Sequence, residues 1–148
     1  MKPDRRLTFD VRRALPWLFL ALGLAQAGHS IEEVATGLWK WMPVVSGEVQ
    51  ARFGFFPTVG WSAMGFTLGN MVIIALILGF SPFPFINHTW AWKIVNLTAI
   101  IETVNGLGHT SAALIRGAYF SGCISGAVLI LVGTLIWGRR WIFKEVRR

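Results

Sequence analysis

His29, Glu32 and Glu33 stand together at the end of an apolar run, Ala14 to Gly28, that holds no charged residue. The 148-residue chain has only seven acidic residues, and two of them are adjacent here. On a helix, positions i, i+3 and i+4 share a face, so these three side chains converge. A second group, Glu102, Asn105 and His109, falls at i, i+3 and i+7. Seven residues are close to two turns, so Glu102 and His109 project from nearly the same side, with Asn105 between them and Thr98 extending the stripe. Imidazole with carboxylate oxygen suits zinc, iron or manganese better than magnesium or calcium alone. Three protein ligands plus water is the arrangement of a catalytic zinc, beside which an unliganded Glu can serve as general base. This assigns His29, Glu33 and His109 as metal ligands and Glu32 or Glu102 as the base. Asn105 orients a ligand or donates to an oxyanion. Zinc is the favoured metal; manganese, or a di-iron pair bridged by Glu as helix bundles build it, is the alternative.

Two alternatives to the metal fit the same residues. A carboxylate buried alone is costly or protonates, so the groups could form a proton or ion relay, or lock the helices together by hydrogen bonds with no catalysis. The His-x-x-Glu-Glu spacing differs from the His-Glu-x-x-His of zinc proteases. No Ser-His-Asp order, Gly-rich phosphate loop or Cys-x-x-Cys pair supports another chemistry, and the single Cys123 carries no disulfide information.

The elements that must position these residues read as membrane helices. Over half the residues are hydrophobic and only 14% are charged. No Asp, Glu, Lys or Arg occurs from Phe53 to Trp92, nor from Gly117 to Gly138, and the second stretch alone is long enough to cross a bilayer as a helix. The net charge of +7 sits at the two ends, Lys2 to Arg13 and Arg139 to Arg148. Such basic flanks mark the cytoplasmic side and attract anionic lipid rather than nucleic acid. The expected fold is one all-α integral membrane domain over 1–148, a four-helix transmembrane bundle with spans at about 15–39, 61–80, 90–114 and 122–137. Four spans put both termini in the cytoplasm, at the inner membrane of the cell. Between spans one and two, Val45 to Phe53 reads as a short amphipathic interfacial helix. Pro16 is tolerated near the first helix start, no cleavage site follows the first apolar run, and Thr89 is the expected N-cap of the third span. Gly65 with Gly69, and Gly122 with Gly126, have the spacing for close helix packing. Asn70 needs a partner from another helix.

Spans one and three run the same way, so the two polar groups meet in the outward half of the bundle. A side chain of His29, Glu32 or Glu33 is expected within about 6 Å of Glu102, Asn105 or His109, the range of strong electrostatic coupling. His88 begins too far to the cytoplasmic side and is discounted as a ligand. A site at this depth is reached laterally or from the outer interface, which makes a lipid or other amphiphile the natural substrate.

His29-Ser30-Ile31-Glu32-Glu33, with the later Glu102-x-x-Asn105-x-x-x-His109 and Tyr119-x-x-Gly122, resembles the bacterial and archaeal HXXEE membrane domain family. The resemblance covers roughly Ala14 to Trp137, with Ser121 where such proteins carry proline. It implies about four helices and singles out the same polar residues; it implies neither a substrate nor a metal.

Overall fold

The computed structural model describes residues 11–55, 57–86 and 90–146, with side chains from 14 to 138. Among the described residues there are helices and no strands: α1 Val11–Ala35, a 3-10 turn Leu38–Lys40, α2 Met42–Phe53, α3 Ala63–Phe80, α4 Ala91–Arg116 and α5 Cys123–Val146.

The helix ends follow local chemistry. α1 stops four residues before the expected Trp39, because Gly37 turns left-handed at φ 74° and the chain tightens into the 3-10 turn. At its other end α1 begins at Val11, so Pro16 lies inside the helix rather than in its first turn. α2 is longer than the expected interfacial segment because Pro43 starts it: at the first helical positions the missing N–H costs nothing. Gly54, at φ 74°, ends it. Ser62 caps α3 by accepting from Gly65 N at 3.1 Å. The N-cap of α4 is Trp90, without a side-chain cap bond; Thr89 and His88 lie outside the described residues. Gly117, at φ 60°, ends α4. Arg116 lies over the rings of Trp41, at 4.7 Å, and Phe120, at 5.5 Å, joining this end to the start of α2.

α5 packs along α4 and α1, and α3 packs on α1. The core joins Phe19 and Leu22 of α1, Ile77 of α3, Val95 and Ala99 of α4, and Leu129 and Ile136 of α5. Small residues set the closest approach. A Cβ on Gly106 would collide with the Gly126 carbonyl oxygen, so α4 and α5 touch backbone to backbone there. Gly65 and Gly69 do not serve this purpose: a Cβ at either would meet only Trp61 or Ser62, just before α3.

Two segments are long and apolar enough to cross a membrane, Ala14–Ala35 and Ala63–Phe80; Cys123–Gly138 is a shorter apolar helix. α4 is not among them, although it has 26 residues. The polar stripe that carries Thr98, Glu102, Asn105 and His109, with Asn96 on another face, lowers its mean hydropathy.

Candidate metal centre

α1 and α4 run in parallel, α5 runs back between their ends, and the polar groups meet where α5 begins. Nε2 of His29 lies 3.2 Å from Oε1 of Glu33, and Nε2 of His109 lies 3.1 Å from the same oxygen. One donor atom from each residue falls within 4.8 Å of the others. The expected meeting of the two groups is thus found, through Glu33 and His109. His29 is fully buried and the His109 side chain is 11% exposed. The two rings pack edge to face, with centroids 4.7 Å apart.

The outer nitrogens settle which atoms face inward. Nδ1 of His109 lies 2.5 Å from the carbonyl oxygen of Ser121. A carbonyl only accepts, so Nδ1 carries the proton. Nδ1 of His29 lies 2.8 Å from Ser125 Oγ. That hydroxyl donates its own proton to Oε2 of Glu32, so it accepts from His29, and Nδ1 is protonated there too. Both imidazoles therefore turn Nε2 toward Glu33. Nε2 of His29, though close to Glu33, is buried without a hydrogen bond. Imidazoles held this way by outer partners are oriented for a metal.

Gly122 makes the room. Its φ is 81°, and a Cβ there would sit 2.7 Å from His109 Nδ1 and 2.8 Å from His29 Cε1. In the expected small-residue pair only Gly126 packs against α4; Gly122 serves the two imidazoles.

Glu32 does something the spacing did not indicate. Its carboxylate accepts from Ser125 N at 2.8 Å, Ile124 N at 3.4 Å, Tyr119 Oη at 2.6 Å and Ser125 Oγ. It caps the first turn of α5 from a different helix, where free N–H groups and the positive end of the dipole favour a carboxylate. The Ser121 hydroxyl is paired with Thr36 Oγ1 at 2.5 Å, so its place in the site depends on its carbonyl, not on its side chain.

Glu102 is not one of the three grouped residues. It is buried at 4% exposure, beside Asn105, with Oε2 unpartnered. Glu102, Asn105, Thr98, Glu33 and His109 all line one cavity of about 750 Å³ between α3 and α4, floored by α1. Glu32 does not line it. Ser121, Ser125 and Gly122 were missed as site residues, because their contributions come from the entry turn of α5. Comparison with family models, with curated proteins and with solved structures finds no match for this chain.

Proposed function

We propose that the chain is a four-span protein of the inner membrane and a metal-dependent enzyme, of hydrolase type, acting on a lipid or other amphiphile. The observation that carries the reading is the convergence of two Nδ1-protonated imidazoles and one carboxylate oxygen in a buried space. Their 3.1 and 3.2 Å separations are close to the ligand–ligand edge of a tetrahedral zinc site, about 3.3 Å for bonds of about 2.0 Å. His29, Glu33 and His109 hold the metal, with zinc ahead of iron or manganese. The metal supplies Lewis-acid polarisation of a carbonyl or phosphoryl group and activation of water. Glu102, which lines the same cavity and has Oε2 unpartnered, takes up the proton. Asn105 beside it orients the substrate. Glu32 holds Ser125, and through it His29.

The membrane part rests on the outward faces. α4 exposes Leu97, Ile100, Val104 and Leu107 on the side away from its polar stripe, and α5 exposes Ile124, Val128, Leu131 and Leu135. Apolar surface on this scale needs lipid or a partner. With four spans, both termini are cytoplasmic by the distribution of basic residues. A reporter fused after Arg148 should be active only in the cytoplasm, and periplasmic activity would overturn the arrangement.

The test of the site is metal analysis of the detergent-purified protein. Wild type should carry stoichiometric metal, and His29→Ala and His109→Ala should lack it while their far-ultraviolet circular dichroism stays helical. Binding should weaken as pH falls, because protons compete for the same nitrogens. No metal in wild type after metal-replete expression would sink the enzyme reading. A proton relay is the second reading, favoured by the hydrogen-bonded line Glu32–Ser125–His29. It expects no metal, and proton flux in liposomes that Glu32→Gln or Glu102→Gln abolishes.

A further inference from the structure

A line of hydrogen bonds beside the metal group can be followed proton by proton. The Phe66 carbonyl only accepts, so Asn70 turns Nδ2 toward it, at 3.2 Å. Asn70 Oδ1 then faces Ser30, whose hydroxyl donates at 2.8 Å. With its proton committed, Ser30 Oγ accepts from Gln26 Nε2 at 3.2 Å. The order fixes the Gln26 amide and leaves its Oε1 without a donor, although Gln26 is only 2% exposed. Oε2 of Glu102 has the same deficit. Both residues line the cavity between α3 and α4. Gln26 precedes Glu33 by seven residues and Glu102 precedes His109 by seven. On parallel helices the two residues therefore sit at a similar level of the cavity. A buried acceptor left without a donor is expensive. Two at one level, on residues that line a space large enough for a ligand, ask for a donor from outside the chain. Among the described residues no Lys or Arg lines the cavity, and its remaining wall is apolar, with Phe19, Ile73, Leu76, Ile77 and Ile101.

We infer that this cavity binds an amphiphile whose head carries hydrogen-bond donors, a hydroxyl or a primary ammonium, with the chain along the apolar wall. Gln26 Oε1 and Glu102 Oε2 accept from the head. A carboxylate head meets two acceptors and is rejected. A trimethylammonium head brings charge but no N–H and leaves both oxygens unpaired. The inference rests on the proposed enzyme only for turnover of the bound molecule; binding itself needs no metal.

The test uses the full chain in nanodiscs, with and without metal, and alkyl probes carrying a photoreactive diazirine in mid-chain. Their heads are hydroxyl, primary ammonium, trimethylammonium or carboxylate. Hydroxyl and primary ammonium probes should label peptides containing Ile73, Leu76 or Ile101 about tenfold more than the other two, the scale of one well-made buried hydrogen bond. Gln26→Met, which keeps length and loses the acceptor, should remove most of that preference. Ile73→Trp, which fills the wall, should remove labelling by all four probes. Equal labelling by all heads, or an unchanged preference in Gln26→Met, overturns the inference. If Gln26→Met does not fold, Glu102→Gln replaces it: the new amide donor should shift labelling toward the carboxylate probe, and no shift is equally fatal. Metal content is read in parallel. Head preference without metal sinks the enzyme and keeps the binding site, whereas metal without head preference does the reverse.

Discussion

Gly122→Ala is expected to empty the metal site and to destabilise the protein by about 2–5 kcal/mol. Two costs add: roughly 1–2 kcal/mol for an L-residue in left-handed geometry, and roughly 1–3 kcal/mol for forcing a methyl into filled space. The space is filled by the imidazoles themselves, 2.7 Å from the new Cβ at His109 Nδ1 and 2.8 Å at His29 Cε1. Relief therefore requires the ligands to move. Gly117→Ala is the control, because Gly117 has φ 60° and nothing within 4 Å of a Cβ. It should carry only the backbone cost of about 1–2 kcal/mol and keep its metal. Thermal unfolding and metal analysis of the two variants read both effects. Metal retained in Gly122→Ala would mean that the rings are not held where the ligand reading needs them.

The adjacent glutamates should separate just as sharply. Glu32→Ala strips the acceptor from Ser125 N, Ile124 N, Ser125 Oγ and Tyr119 Oη. Hydrogen bonds to a charged acceptor and a lost helix cap together predict a loss of roughly 2–4 kcal/mol. Because Ser125 holds His29 Nδ1, metal affinity should also fall about 10–100-fold, the usual effect of removing an outer partner. Glu33→Ala should do the opposite: metal is lost outright, and stability in metal-free buffer changes less than in Glu32→Ala. Titration with zinc and unfolding in chelator separate the two. Metal kept in Glu33→Ala but lost in Glu32→Ala would make Glu32 the ligand and overturn its role as a cap.

Spacing made His29, Glu33 and His109 legible, because an apolar setting leaves few reasons for such residues and helical periodicity tells which face they share. Asn70 was legible as a residue in want of a partner, and Ser30 of α1 is that partner. The role of Glu32 was not legible. Its donors are backbone N–H groups and hydroxyls far along the chain, at Tyr119, Ile124 and Ser125, and backbone donors leave no mark in side-chain patterns. Nor was that of Gly122, since a short small-residue spacing fits helix packing as readily as a left-handed turn under two rings. The helix ends shifted by four residues at α1 and by nine at the close of α5, because apolar content marks where a helix is buried, whereas Gly37, Pro43 and Gly117 mark where a helix starts or stops. The four-span count is harder for the same physical reason. An inward polar stripe lowers the hydropathy of α4 while its outer face stays apolar.

The contact of Gly106 with Gly126 has a mechanical consequence. Helices that meet without intervening side chains cannot rock or slide without forcing backbone into backbone, so α4 and α5 form one stiff plate. His109 stands on that plate, and Ser125 of α5 holds His29 against it. α3 is the opposite wall of the cavity, held to α1 by Ile77, by the Ser30–Asn70 hydrogen bond and by Leu78 seated over Gly23. Of the cavity's two facing walls α4 is therefore the stiffer, backed by α5 through backbone contact, while α3 rests on side-chain contacts with α1.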